Sequence, residues 1–315
     1  VLVYCMFFSL GGTWEVVGQI ITGILIALQI VVFFTIIYTT TDAEFKIPWI
    51  VILLVFPLFG TFIYLLFQPR TLRKKEAEFL RGIEHSTYPY FKEEPSYNFG
   101  MSAKTFDYLS KFFHVYPTSG NKVTYFKDGT TFFPDLIAKL KEAKECIMME
   151  FFIIHEGKMW DAIHPILKEK AAQGVEVKLL YDDVGCLGTL EKGTLNKLRE
   201  EGIQAYIFNP MKPILSAVHN YRDHRKIVVI DHKYAYTGGM NLGDEYANIL
   251  IRFGYWKDTM IRIEGPAINA LIKIFMSNFS LTTRESYDVA HYLNVKIPVH
   301  ETNGYVMPFS HGPSP

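Results

Sequence analysis

The apolar residues of this chain are laid out in two ways. Up to Phe67 they run together: Val16–Tyr38 is 23 residues without a charge, and Ile47–Phe67 adds 21 more, interrupted only by Pro48, Pro57 and Gly60. A bilayer core of about 30 Å needs roughly 20 apolar residues of helix, and proline and glycine are tolerated there, so spans are expected at 16–38 and 47–67. Val1–Leu10 is too short to cross alone and is expected to be a partial span, with Gly11 and Gly12 as a turn. The chain begins at Val1 inside an apolar run, so further N-terminal sequence is expected to precede it. The pattern marks residues 1–69 as a membrane section.

Beyond Phe67 the pattern changes to that of a water-soluble fold. Residues 70–120 read as a basic juxtamembrane segment and linker, with a short helix within Leu72–Gly82 and punctuation at Pro89 and Pro95. From 121 to 300, strand-like stretches are expected at Asn121–Lys127, Cys146–Ile154, Val175–Tyr181, Ile203–Phe208, Lys226–Ile230 and Thr259–Ile263. Helical periodicity covers Phe133–Ala143, Met159–Gln173, Thr194–Glu201 and Pro266–Asn278. Cys146–Ile154 (CIMMEFFII) is nearly continuous in apolar residues, as a strand buried on both faces should be. This alternation predicts an α/β sandwich around a largely parallel or mixed sheet. Chemistry in such sheets collects beyond strand ends, which points to His155, Asp182, Asp183 and residues 219–244.

Charge adds a direction. Arg70, Arg73, Lys74 and Lys75 follow the last apolar stretch, and by the positive-inside rule they and everything after them are expected in the cytoplasm, under a cell membrane crossed more than once. The same cluster can attract anionic lipid headgroups. The 315 residues carry a formal net charge of zero, so nothing in the overall balance points to nucleic acid. Three widely spaced cysteines form no disulfide framework and no metal pair, which fits a reducing compartment.

The candidate chemistry is concentrated in His219–Asp244, HNYRDHRKIVVIDHKYAYTGGMNLGD, where His224, Lys226 and Asp231 stand as H-x-K-x4-D. Side chains alternate along a strand, so His224 and Lys226 share a face and Arg225 points the other way. An imidazole beside an ammonium suits a phosphate: the lysine neutralises non-bridging oxygens while the histidine attacks phosphorus or protonates a leaving oxygen. Asp231 has the opposite parity to His224 and is expected to orient neighbours rather than meet substrate. Gly238 and Gly239 allow close backbone approach to an anion, and Asn241 can donate to a phosphate oxygen.

These residues carry a resemblance. His224, Lys226 and Asp231, followed by Gly238-Gly239-Met240-Asn241, resemble the HKD signature of the phospholipase D superfamily. The longer text NYRDHRKIVVID…YTGGMNLGDEY, the paired apolar stretches and Tyr255–Ala267 (YWKDTMIRIEGPA) are similar to the bacterial cardiolipin synthases. The resemblance implies N-terminal transmembrane helices followed by one phospholipase D-like α/β/α sandwich half. It implies a cofactor-free, metal-independent transfer through a phosphohistidine, in which the phosphatidyl group of one phosphatidylglycerol passes to a second, giving cardiolipin and glycerol. A second histidine, from a second HKD motif, would protonate the departing alcohol. No second H-x-K-x4-D occurs between Leu242 and Pro315, and residues 301–315 resemble the junction before the second half. The chain is therefore expected to be an incomplete fragment, inactive until a missing C-terminal half or a second chain completes the site. A phospholipase D that transfers to water or another alcohol, and a non-catalytic half-length lipid-binding protein, are the competing functions.

Other polar residues have plainer readings beside functional ones. Glu150 interrupts an apolar strand, either as a pocket carboxylate that meets substrate or as the partner of a buried Arg or Lys. Asp182 and Asp183 read as turn residues ahead of a catalytic acid pair. His155 and His232 read as satisfied polar residues. A metal cluster of His219, Asp223 and His224 lacks further ligands at suitable spacing, so no metal is expected.

Overall fold

The computed structural model describes residues 13–39, 43–67, 74–92, 100, 103–211, 222–252 and 254–310. The expected partial span at 1–10 and the basic cluster at 70–73 lie outside these residues. The chain divides into two compact units, the first holding the apolar helices and the second the remaining described elements.

In the first unit, α1 (Thr13–Tyr38) covers the expected span at 16–38. Its 26 residues rise about 39 Å at roughly 1.5 Å each, more than a bilayer core needs. Ile24 and Val31 on its surface are 62% and 61% exposed, so much of this apolar cylinder is left uncovered by the described residues. Among the described residues it is the one helix long and apolar enough to cross a membrane. The stretch expected as a second span is instead divided at Phe56 into α2 (Ala43–Val55) and α3 (Pro57–Phe67). Pro57 has no N–H for the helix ladder, and a Cβ on Gly60 would stand 2.7 Å from the Ile52 carbonyl oxygen and 2.9 Å from the Leu53 Cα. A straight helix would hold Gly60 and Leu53 about 10 Å apart. The chain therefore folds back, and the rings of Trp49 and Tyr64 meet with centroids 5.4 Å apart. Val32 and Ile36 of α1 pack with Leu53 and Tyr64 in one small core.

The second unit is a seven-stranded mixed sheet in the order β1-β7-β6-β5-β2-β3-β4. Its strands are β1 (Lys122–Phe126), β2 (Cys146–Phe151), β3 (Glu176–Asp182), β4 (Gln204–Phe208), β5 (Ile227–Ile230), β6 (Tyr234–Gly238) and β7 (Met260–Glu264). β2, β3 and β4 are parallel, joined through α7 (Lys158–Ala172) and α8 (Thr194–Glu200), and β5, β6, β7 and β1 add antiparallel. One face packs on α6 (Gly129–Glu142), α7 and α8, with Phe132, Leu136, Ile163, Leu167 and Leu198 meeting Met149, Leu179, Val228 and Tyr236. The other packs on α9 (Ile268–Thr283) and α10 (Val289–Leu293), with Ile272, Phe275 and Phe279 meeting Met148, Leu180 and Val229. The result is an α/β/α sandwich.

Parts of the presumed linker join this core. Ile83 of α4 (Lys74–Thr87) is buried among α9 residues, with Phe79 and Phe91 packed against the same cluster, whereas α5 (Ala103–Phe113) keeps Tyr108 and Phe112 largely exposed. Phe132, fully buried, sits 5.9 Å from the Phe126 ring and 5.7 Å from Tyr236. Phe132→Ala is expected to cost about 3–5 kcal/mol of stability through the cavity it leaves. Denaturant unfolding of the detergent-solubilised protein measures this.

Candidate active site

The sheet end formed by the C-terminal ends of β2, β3 and β6 and the N-terminal ends of β5 and β7 carries most of the motif. β5 lies antiparallel between β2, with Ile227 opposite Glu150, and β6, with Ile227 opposite Thr237. Val228 and Ile230 face the α6–α7 side, and Ile227 and Val229 the α9 side. Carried back one and two residues, this alternation sends Lys226 and Arg225 to opposite faces.

Lys226 is 2% exposed; its Nζ lies 5.4 Å from the centre of the Phe152 ring and donates to the His224 carbonyl oxygen at 2.6 Å. The His224 ring is exposed and stands 4.9 Å from the same phenyl ring. Imidazole and ammonium thus flank one phenylalanine. Burial is the main cause that pushes the Lys226 ammonium down to about 8, against the pull of Asp223 and Asp258. Burial and then the Lys226 charge hold the His224 imidazole below its ordinary range, only partly offset by Asp223 and Asp182. At neutral pH His224 is accordingly uncharged and able to attack, beside a lysine that is still largely cationic.

The pair is fixed from behind by groups outside the H-x-K-x4-D motif. Asp182, fully buried at the end of β3, accepts from the amides of Val184 (2.9 Å) and Gly185 (3.1 Å), from Arg222 Nη1 (3.2 Å) and from the amide of Asp223 (3.0 Å). It is a turn residue that also docks the chain leading to His224. Asp183 accepts from the Met211 amide at 2.5 Å. Gly185 closes on the Phe152 carbonyl, where a Cβ would come within 2.0 Å of the oxygen, and the Ile154 amide donates to Cys186 Sγ at 3.2 Å. These contacts hold Phe152 under the two reactive groups.

The remaining motif residues divide between the two ends of the sheet. Gly238 and Gly239 lie near Lys226, but what approaches them is the chain itself: a Cβ would stand 2.3 Å from the Thr259 carbonyl oxygen at Gly238 and 2.1 Å from Asp258 Oδ1 at Gly239. Their smallness brings Asp258 towards Lys226. Asn241, 3% exposed, accepts from the Ile153 amide (2.9 Å) and donates to the Tyr246 hydroxyl (2.9 Å), tying the segment after β2 to the loop after β6. Asp231 sits beyond the opposite end of β5, at φ 51°, where its carboxylate accepts from the amides of Lys144 (2.8 Å), Glu145 (2.8 Å) and Cys146 (3.0 Å). It anchors the start of β2 and is separated from His224 by the length of the strand. Glu150 lies on the α9 face, away from Lys226, with Arg225 Nε at 3.1 Å.

His155 Nδ1 stands 3.4 Å from Glu245, and His232 is buried at the Asp231 end with Nδ1 3.7 Å from Cys146 Sγ. His219 lies outside the described residues, and among those residues no three His, Cys, Asp or Glu side chains are grouped to hold a metal ion.

Residues 136–278, which include this entire sheet end, match the family model described as cardiolipin synthase, PLD-like domain. Residues 27–69 match the phospholipase D-nuclease N-terminal family. Both matches are to phospholipase D-like families, and the first takes in every strand of the site. It is 39% identical over 277 residues to an uncharacterized protein of Streptococcus mutans, covering 85% of this chain and 59% of that one. To a cardiolipin synthase of Staphylococcus aureus it is 35% identical over 295 residues, covering 89% of this chain and 58% of the relative. To cardiolipin synthase 2 of Bacillus anthracis it is 32% identical, covering 85% and 53%. The chain thus spans a little over half the length of these curated relatives.

Two outcomes follow from the geometry. Lys226 titrates near 8 folded and near 10.5 unfolded, so between those pH values the unfolded chain holds one more proton and stability rises with pH. Lys226→Met should therefore raise the unfolding free energy at pH 7 by about 1–3 kcal/mol, with the gain fading as pH nears that of an ordinary lysine. Denaturant titrations at pH 7 and 10 compare the two. Asp231→Ala removes an acceptor shared by three amides and should cost about 2–4 kcal/mol, leaving the titration of Lys226 where it was.

Proposed function

We propose that this chain contributes one half of the active site of a cardiolipin synthase, a membrane enzyme that moves a phosphatidyl group between two phosphatidylglycerol molecules. The observation that carries the reading is the exposed, neutral His224 held with the buried Lys226 ammonium against Phe152. The similarity to proteins named cardiolipin synthase and the apolar helix α1 support a lipid as the substrate.

A nitrogen of His224 attacks the phosphorus of the first phosphatidylglycerol. The bond from phosphorus to the headgroup glycerol oxygen breaks, and that oxygen takes a proton from a general acid. Lys226 neutralises the charge that gathers on the non-bridging oxygens. The phosphatidyl-histidine is then attacked by a headgroup hydroxyl of a second phosphatidylglycerol, which gives up its proton to the same acid–base group. The phosphorus–nitrogen bond breaks, cardiolipin leaves, and His224 is regenerated. The acid–base group must stand opposite His224, and a second histidine from a C-terminal half or a second chain would supply it. The basic residues Arg70, Arg73, Lys74 and Lys75 favour placement of this domain on the cytoplasmic side of the cell membrane, close to anionic lipid.

Incubating the membrane protein, with its completing half, with labelled phosphatidylglycerol tests the proposal. Cardiolipin and glycerol are expected, and His224→Ala should lower their formation by about 1,000-fold or more. Phosphatidic acid without cardiolipin would make the protein a hydrolase, and lipid binding without either product would make it a non-catalytic lipid-binding protein.

A further inference from the structure

On the face of the sheet opposite Lys226, two buried carboxylates share one guanidinium. Glu150 is fully buried on β2, Asp223 is 2% exposed, and Asn278 reaches them from α9 at 5% exposure. Arg225 Nε lies 2.8 Å from Asp223 Oδ1 and 3.1 Å from Glu150 Oε1. Asn278 Nδ2 donates to Glu150 Oε1 at 2.9 Å and to Asp223 Oδ2 at 2.8 Å. The backbone amide of Arg225 adds a third donor to Asp223 at 3.3 Å, and Arg225 Nη1 itself donates to Ser310 Oγ at 3.2 Å. Glu150 Oε2 is buried and has no donor among the described residues.

Two ionised carboxylates here would leave one uncompensated buried charge and one unsatisfied oxygen, and both are costly. One proton on Glu150 removes both problems, because the carboxyl is then neutral and can donate to Asp223, its hydrogen-bonded neighbour. Asp223 has the richer set of donors and is the better anion. The charges agree: burial and then Asp223 push the Glu150 carboxyl well up, whereas hydrogen bonds from Glu150 and Arg225 outweigh burial and hold Asp223 down.

We propose that Glu150 is a positioning residue that keeps the single proton of the Glu150–Asp223 pair, so that Asp223 remains an anion behind His224 and Lys226. Asp223 draws Lys226 towards its cationic form more strongly than Asp258 does, and it acts on His224 together with Asp182 against Lys226. Asp182 is itself paired with Arg222. Glu150 therefore acts on the reactive pair through Asp223 from across the sheet and does not meet substrate. The placement of the proton stands on the geometry alone, and its consequence for catalysis rests on the phosphatidyl-transfer reading above.

The test uses the whole chain in detergent. Infrared spectra at pH 7 should show the carbonyl stretch of a buried protonated carboxyl that disappears in Glu150→Gln. No such band, or a band untouched by that substitution, would overturn the proposal. A second readout follows Lys226 by the pH dependence of its acylation by a small active ester, whose alkoxide leaves as the neutral amine attacks. Asp223→Asn should lower the midpoint from about 8 by about one pH unit, a tenfold change in proton affinity, and Glu150→Gln should leave it in place. A midpoint that falls equally in Glu150→Gln would mean that Glu150 is ionised, and the proposal fails. If Asp223→Asn does not fold, the infrared comparison still decides. Neither readout needs lipid turnover: a protein that behaves as expected in both yet, joined by its completing half, makes no cardiolipin or phosphatidic acid would refute the transfer reading alone.

Discussion

Because β5 runs antiparallel between β2 and β6, with Ile227 facing Glu150 on one side and Thr237 on the other, its four residues set the position of every group in the motif. Strand alternation sends Lys226 into the α6–α7 side and Arg225 into the α9 side. The strand's length sets Asp231 at the far end, where it holds three amides of the β2 start. A one-residue slip would bury Arg225 against Phe152 and take the lysine away from the reactive histidine. The core contacts of Val228, Ile230, Ile227 and Val229 on both faces make such a slip costly, so packing far from the chemistry protects its geometry.

The same constraint creates an electrostatic load. A nearly buried ammonium at Lys226 is unfavourable in itself, and the surrounding carboxylates reduce that cost without removing it. Each carboxylate is held by another part of the fold: Asp182 by Arg222 and turn amides, Asp223 by Arg225 and Asn278, Asp258 by the glycine pair that lets it approach. On the proposed reading, function and stability pull in opposite directions at residue 226, because a cation kept there to meet a phosphate is costly to bury.

Much of the sandwich was legible in the sequence because its strands are short apolar runs between helices of clear period. Cys146–Phe151 and Ile227–Ile230 fall within the stretches expected for them. Tyr234–Gly238 was read only as part of the motif, and the glycine pair hid the fact that it is β6. Length and hydropathy alone suggested a second span at 47–67; Pro57 and Gly60 bend it into two short helices because one removes a ladder hydrogen bond and the other admits a neighbouring backbone. At the site, local alternation could relate His224, Arg225 and Lys226. It could not reveal Phe152, Asp258 or Asn278, which arrive from more than 30 to more than 70 residues away along the chain, nor that Asp182, expected at a strand end, docks the chain leading to His224. Such partners leave no local pattern; Glu150, alone in an apolar strand, called for a partner, and which residue supplies it depends on the pairing of two strands.

The most direct measurement is to trap the intermediate. The complete membrane protein turning over labelled phosphatidylglycerol would be quenched in alkaline detergent, where a phosphorus–nitrogen bond survives, and its peptides examined by mass spectrometry. A phosphatidyl group on the peptide containing His224, absent when Lys226 is replaced by Met, is the predicted result. Cardiolipin formed with the phosphatidyl group on a different residue, or with no protein adduct during turnover, would contradict it.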